Sequence, residues 1–140
     1  MGFFKDLKNK VTGGAATVNV QVGSARRGQA MPVQIQATAK ANGKVNAVYI
    51  LVRATESCEW KNGNEKVGNS QTSFETRIQV AGPQDIQEGQ TYNFEGLVEL
   101  PMTVNASLRG GLVQHSWELP AGLDMPGNDP DSGWTKFEVQ

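Results

Sequence analysis

The only histidine of the chain and four carboxylates lie within one short stretch, HSWELPAGLDMPGNDPDSG, residues 115–133. A histidine beside carboxylates can act as a general base or take part in a metal site. The candidate residues are His115, Glu118, Asp124, Asp129 and Asp131. The same residues also fit a simpler interpretation, in which a strand ends and an acidic turn follows. The elements that position the stretch decide between the two.

The pattern around His115 favours a structural role. Side chains of a strand alternate between two faces, so His115 shares a face with Trp117 and Leu119, while Glu118 points to the other face. Zinc sites draw at least three ligands from histidine, cysteine and carboxylates, and the chain has one histidine and one cysteine. We do not expect Cys58 to act as a nucleophile with His115 as its base, although the sequence leaves the geometry of that pair open.

The acidic stretch after Leu123 is typical of a solvated turn. The calcium-loop pattern D-x-[DN]-x-[DN]-G-x₅-E is not met, because Pro130 and Ser132 interrupt it and no glutamate follows at the required position. Proline, glycine, asparagine, aspartate and serine each favour turns for local reasons. We expect a plain turn from Asp124 to Asp131, with a bound cation as the alternative.

Two further candidates lie elsewhere. Arg26 and Arg27 in the first predicted turn carry guanidinium groups suited to an anion such as phosphate, but paired arginines in a solvated loop usually have no specific ligand. Neither glycine-rich phosphate-binding motif occurs. Asn105 is a formal glycosylation acceptor, which has no meaning in a cytoplasmic protein. We therefore predict no catalytic, cofactor-binding or metal-binding residues and no enzymatic activity.

The composition excludes several classes of function. Lysine and arginine number 13 against 14 acidic residues, for a net charge of -1, so no basic field attracts nucleic acid. The neighbours of Cys58 provide no cation to activate its thiol, and a lone cysteine cannot form an internal disulfide. The longest apolar run, residues 47–52, is too short to cross a bilayer, and the N-terminus lacks a secretory signal. We expect a cytoplasmic protein.

The N-terminal segment is the one stretch with helical periodicity. Phe3, Phe4, Leu7 and Val11 fall on one narrow arc at about 100° per residue, which predicts an amphipathic helix over residues 1–12. A helix of this length is marginal alone, so its aromatic face needs a partner. We favour docking on its own domain; a groove on a partner protein is an alternative, and a membrane surface is the least favoured.

From Gly14 onward the hydrophobic period is two, which is typical of strands with one buried face. About eight strands are predicted, joined by short turns without helices between them. The clearest cover residues 17–22, 31–39, 45–55, 73–80, 92–100, 112–125 and 134–139. The pattern predicts an all-β, antiparallel β-sandwich of the immunoglobulin-like kind, with one domain over residues 1–140 and the sandwich over residues 15–140.

Three local features make specific predictions within this pattern. The dipeptide Asn42-Gly43 favours a tight hairpin, so the second and third strands are predicted to pair antiparallel. The third strand is the most apolar and is predicted to be central. The polar segment KNGNEKVGNSQ, residues 61–71, is predicted to be a loop.

The order of these pieces resembles a known family. The segments GFFKDL, GGAATVNVQV, the turn ending in Gly28 and the strand VNAVYILVRATE resemble the N-terminal arrestin-type domain of the bacterial sporulation-control family of arrestin-like proteins. The segments YNFEGLVELP and GLDMPGNDPDSGWTKFEV are similar to later strands of these domains. The likeness covers nearly the whole chain, although it consists of short pieces rather than one sharp motif.

The resemblance implies an immunoglobulin-like sandwich that serves as a cytoplasmic scaffold or regulator and binds proteins through sheet edges and loops. Two departures limit this transfer. Family members usually carry a second, similar domain, whereas we expect a single domain here. Val33 also stands where a glycine is common in the second strand. No family functional residue maps onto the chain.

Three hypotheses about function remain. The first is a non-enzymatic interaction module whose partner is a protein, with edge strands that also allow a homo-oligomer. The second is a sandwich that binds a small ligand or a carbohydrate on an exposed tryptophan, namely Trp60, Trp117 or Trp134. The third is a structural subunit of a larger assembly. Fold class alone does not rank them, because sandwiches host unrelated functions.

Overall fold

The computed structural model describes residues 14–140, and this part of the chain is all-β, without a helix. The all-β prediction is confirmed, and the strands pair antiparallel. The helix predicted over residues 1–12 lies outside the described residues. The strands are β1 (Ala16–Val22), β2 (Ala30–Ala39), β3 (Gly43–Val45), β4 (Ala47–Asn62), β5 (Glu65–Ala81), β6 (Gln84–Ile86), β7 (Thr91–Glu99), β8 (Leu108–Arg109), β9 (Val113–Leu119), β10 (Ala121–Asp124) and β11 (Thr135–Phe137).

The first sheet has three strands in the order β1-β2-β7. Its inner face is apolar because alternate residues of β2, such as Val33 and Ile35, point to the core. Its outer face is polar, and side chains there bond across the strands: Gln34 donates to Glu95 at 2.9 Å. The alternation predicted for residues 31–39 is therefore confirmed.

The second sheet is built around β4, which pairs with β5 on one side and with β9 and β10 on the other. The strands β9 and β10 run along β4 in one continuous register that is interrupted at Pro120, a residue without an N–H group. The single strand predicted over residues 112–125 is thus two strands in one line. Two short strands, β8 and β11, pair with β9.

The two sheets contribute to one core. Gly96 of β7 shows how closely they approach, because a Cβ atom there would lie 2.8 Å from Ile50 Cδ1 and 2.9 Å from Val80 Cγ2 of the second sheet. As predicted, β4 is central, and its inner side chains are fully buried. The largest fully buried side chains are Trp117, Ile35, Ile50, Leu100, Leu119, Leu123, Val33, Val45, Val48, Val52, Val98 and Val139.

The hairpin predicted at Asn42-Gly43 is wrong. Both edges of β2 are already occupied by β1 and β7, so the chain crosses to the small sheet in which β3 pairs with β6. Neither residue has the positive φ that a type I′ turn requires. The Asn42 side chain instead accepts a hydrogen bond at 2.8 Å from the backbone N–H of Glu88. Tertiary pairing therefore overrides the local turn signal.

The loop predicted over residues 61–71 is also wrong. Residues on both sides of Gly63 pair as antiparallel strands, with Trp60 opposite Val67, and a two-residue turn joins them. Gly63 has φ 67°, and glycine in the first turn position is typical of a type II′ hairpin turn. Ladder hydrogen bonds hold this polar segment as strand without burial. We call residues 59–72 the distal ribbon.

Candidate functional site

His115 lies on β9 and is buried, at 5% exposure, on the same face as Trp117 and Leu119. This confirms the predicted face. Glu118 is on the other face, opposite Arg53 of β4, so it does not meet the histidine. The imidazole stands edge-on to the Trp117 indole, with ring centroids 5.7 Å apart.

Both nitrogens of His115 have protein partners. Its Nδ1 is 3.0 Å from the carbonyl oxygen of Ala106, and its Nε2 is 2.7 Å from the hydroxyl of Ser73. A carbonyl accepts only, so Nδ1 carries a hydrogen, and in the neutral ring Nε2 accepts from the Ser73 hydroxyl, which also lies 3.4 Å from the Ala54 carbonyl oxygen. Cys58, the nucleophile considered from the sequence, lies opposite Val113 and is not among these partners.

Sequence reasoning missed Ser73 because a bulge positions it. Ala54 pairs with Phe74 and Thr55 pairs with Thr72, so Ser73 is an extra residue of β5 without a ladder partner in β4. A bulge re-aims a side chain relative to strict alternation. No local pattern in TSF, residues 72–74, predicts this bulge. The bulge brings the Ser73 hydroxyl to His115.

The acidic turn is held by internal hydrogen bonds. Asp129 accepts from the backbone N–H of Met125 at 3.2 Å and from the Tyr49 hydroxyl at 3.2 Å, and Asp131 accepts from the N–H of Gly133 at 2.8 Å. Asp124 is 3.8 Å from the Arg77 guanidinium. Within residues 14–140, no group of three or more histidine, cysteine, aspartate or glutamate side chains is arranged to hold a metal ion.

Tyr49 links this turn to β4. Burial raises the pKa of Tyr49 to about 12, and the negative charge of Asp129 adds to the increase. The Arg77 guanidinium, 4.0 Å from the Tyr49 ring centroid, acts in the opposite direction. Gly122 lies beneath the ring, where a Cβ atom would come within 2.5 Å of it. The hydrogen bond from Tyr49 to Asp129 therefore attaches the acidic turn to the second sheet.

The paired arginines have different environments. Arg27 donates from Nη1 to the carbonyl oxygen of Val104 at 3.3 Å, and its backbone N–H donates to Gln140 at 3.0 Å. Arg26 is exposed. The two side chains are thus not presented together as one anion site. Asn105 uses its backbone carbonyl to accept from the Trp117 indole at 2.9 Å.

Exposure separates the three tryptophans. Trp117 is buried at 1%, whereas Trp60 and Trp134 are each 44% exposed. The Arg53 guanidinium lies 4.3 Å from the ring centroid of Trp134 and covers part of that ring. Trp60 lies in the distal ribbon and is the tryptophan most open to a ligand.

The distal ribbon is a long solvent-exposed paired segment of the second sheet. The described side chains of the ribbon are exposed on both faces, except that of Val67, which is half-buried. Large apolar side chains, Leu108, Leu112 and Val113, are exposed at its base. The ribbon is anchored there by a hydrogen bond of 2.7 Å from Glu59 N–H to the Leu112 carbonyl. Within the described residues β5 pairs only with β4, so its other edge is open.

No helix within residues 14–140 is long and apolar enough to span a membrane. No protein-family model matches the chain, and no curated protein sequence matches it. Solved structures similar to it include the crystal structure of Spo0M, a sporulation control protein from Bacillus subtilis, with a TM-score of 0.63 and 17% identity. The match covers 90% of this chain and 49% of Spo0M, so the chain spans about half the length of that protein. This likeness establishes a Spo0M-like fold.

Proposed function

We propose that the protein is a non-enzymatic protein-interaction module, an arrestin-like scaffold or regulator of the cytoplasm that binds partners through sheet edges and loops. In this proposal the two sheets form an immunoglobulin-like sandwich, as in the N-terminal domain of arrestin-type proteins. The Spo0M-like fold supports a regulatory role, because that protein is a sporulation control protein. The partner is a protein rather than nucleic acid, since the net charge is -1.

The open edge of β5 is the observation that carries the proposal. An unpaired strand edge presents a row of N–H and C=O groups that can pair with an extended segment of another chain. The edge is 17 residues long, and between residues 67 and 74 it carries no charged side chain. Charged residues, which commonly protect edges, flank this stretch at Lys66 and Glu75. The edge therefore has an uncharged stretch, residues 67–72, that runs without interruption up to the bulge at Ser73 and is long enough for a partner strand.

Site-specific photo-crosslinking tests the edge directly. A photoreactive residue placed at Ser70, in the centre of the open edge, is compared with one at Gln36, which is exposed on the central strand of the first sheet. In cells of the source organism we expect a discrete crosslinked protein from position 70 and none from position 36. Equal crosslinking from both positions, or none from position 70, contradicts the proposal.

A second candidate, binding of a neutral polyhydroxyl ligand such as a carbohydrate, rests on the outer face of the first sheet. A cavity of about 250 Å³ there is lined by Ile35 and by five residues with carboxamide side chains, Asn19, Gln21, Gln34, Gln36 and Asn93. Each carboxamide both donates and accepts, as recognition of vicinal hydroxyls requires. Among the tryptophans considered from the sequence, Trp117 is buried and drops out as a stacking platform.

Titration with a panel of neutral saccharides, monitored by NMR, separates the two candidates. Carbohydrate binding shifts the side-chain amide signals of Gln36 and Asn93, whereas a protein partner that binds the β5 edge shifts backbone signals of residues 67–74. A structural-subunit role remains a third proposal, and a monomer in light scattering at high concentration contradicts it.

A further inference from the structure

We propose that Ser73 is a nucleophilic serine, activated by His115, that accepts the acyl group of a small apolar ester. Ser73 lies in the stretch of the β5 edge on which the proposed function rests, but its acylation needs no partner strand, so the two proposals can fail separately. It requires one covalent acylation event and no turnover.

The first argument is the order of three groups. A nucleophile, a base and a group that orients the base must stand in line within hydrogen-bond reach. The Ser73 hydroxyl is 2.7 Å from His115 Nε2 and 3.4 Å from the Ala54 carbonyl oxygen, so the histidine is the nearer of its two acceptors. His115 Nδ1 is 3.0 Å from the Ala106 carbonyl oxygen. The carbonyl fixes the tautomer in which Nε2 has a free lone pair directed at the hydroxyl. A carbonyl carries no full charge, so it stabilises an imidazolium less than a carboxylate does.

The second argument is that the histidine is fixed while the serine is reachable. His115 is buried against Trp117, whereas Ser73 is exposed. The Ser73 hydroxyl is the partner of a buried ring nitrogen and is also open to solvent, so a reagent can reach it without displacing the histidine. The bulge that leaves Ser73 without a ladder partner is what brings the two together.

The third argument is an adjoining cavity of about 250 Å³ that both residues line. Phe74, Val104 and Trp117 give it apolar walls, which suit an acyl chain of a few carbons. Thr103 and Asn105 also line it. Their hydroxyl and carboxamide groups are the kinds of donor that stabilise the oxyanion of an acyl-transfer intermediate. A cavity of this volume accommodates a short acyl chain, so the proposed substrate class is a short-chain ester.

The reaction balances without a further reagent. The Ser73 oxygen attacks the ester carbonyl carbon while its proton passes to His115 Nε2. The bond from the carbonyl carbon to the leaving oxygen then breaks, and the imidazolium returns the proton to that oxygen. The products are an ester on Ser73 and a free alcohol, and His115 is again neutral.

Acetylation by p-nitrophenyl acetate, followed by peptide mass spectrometry, tests the proposal. We expect an acetyl group on Ser73 of the full chain and a release of p-nitrophenol that is lost in Ser73→Ala. Ser70→Ala is the matched control, because Ser70 is an exposed serine of the same strand without a histidine beside it. His115→Gln should slow acetylation of Ser73 about 100-fold, the lower end of general-base contributions. Acetyl groups on lysine only, or equal rates in wild type and Ser73→Ala, overturn the proposal.

A second measurement does not depend on variants that perturb the core. The chain has one histidine, so its imidazole ¹⁵N signals need no assignment. We expect the neutral imidazole to carry its hydrogen on Nδ1, beside the Ala106 carbonyl, and to keep its lone pair on Nε2. The opposite tautomer leaves no lone pair for the Ser73 proton and overturns the proposal, even if every variant folds.

Discussion

The two halves of the β4–β5 hairpin share one strand geometry and have opposite surroundings. In the proximal half, Val48, Ile50, Val52 and Ala54 of β4 have 0% exposure, because the first sheet covers them. In the distal ribbon both faces are exposed, and apart from the bond between Glu59 and Leu112 at its base, the strands are maintained by pairing within the hairpin. Ladder hydrogen bonds therefore suffice for strand geometry, while burial supplies most of the stability. The half that contributes least to the core is the half free to bind.

The largest expected effect contrasts two tryptophans of this sheet. Trp117→Ala should lower the free energy of unfolding by about 3–5 kcal/mol, because it opens a cavity next to Phe74 and Phe137 and leaves the Asn105 carbonyl without its indole donor. Trp60→Ala in the distal ribbon should change it by less than about 0.5 kcal/mol. Chemical denaturation of both variants measures the difference, and similar losses would contradict the division into two halves.

The next effect contrasts two glycines in strands. Gly96→Ala should cost about 1–3 kcal/mol, because the new methyl group would press on Ile50 and Val80 where the sheets meet. Gly68→Ala in the distal ribbon is the matched control, since its Cβ atom meets only the Cys58 carbonyl at an ordinary 3.7 Å. We expect unchanged or slightly increased stability there. Thermal unfolding followed by circular dichroism separates the two outcomes.

A smaller effect on stability, seen only at alkaline pH, comes from Tyr49 on the outer face of the proximal half. The pKa of Tyr49 is raised from 10.0 to about 12 in the folded protein, so the unfolded chain ionises first. The stability contributed by Tyr49 is fully present below pH 10 and is lost as the pH rises from 10 to 12. Tyrosinate absorbance in a Tyr92→Phe background reports Tyr49 alone, because the chain has two tyrosines.

Asp129→Asn serves as the control for this titration. Removing the carboxylate should lower the pKa of Tyr49 only in part, because burial is the largest cause of the increase and remains. A Tyr49 that titrates normally in the parent protein would show that the acidic turn does not cover it.

The sequence predicts those parts of the fold in which local pattern and burial agree. Alternation identifies β1, β2 and β7 and the face of His115, because one side of each strand meets the core. Alternation and turn signals fail where strand pairing depends on residues that are far apart in the sequence. Asn42-Gly43 has the residues of a hairpin turn, but the edges of β2 are taken by β1 and β7.

The candidate sites follow the same division. The acidic stretch forms a turn with internal hydrogen bonds to Met125 and Gly133, which local residue preferences anticipate. Ser73 and His115 are 42 residues apart in the sequence, and a bulge brings them into contact. No rule based on residue spacing predicts such a contact. The distal ribbon was missed because its residues are polar and unburied, which removes the alternation that identifies a strand.

The smallest effect concerns an ion pair in the distal ribbon. Lys66 Nζ is 2.6 Å from Glu59 Oε1, yet the two side chains are 70% and 52% exposed. Water screens the charges at such exposure, so the distance overstates the energy. A double-mutant cycle of Lys66→Met and Glu59→Gln should give a coupling below about 0.5 kcal/mol, which added salt reduces further. A coupling well above about 1 kcal/mol would mean that the ion pair is shielded from water. The distal ribbon would then be a covered surface, and the contrast between an exposed and a buried half of the hairpin would be wrong.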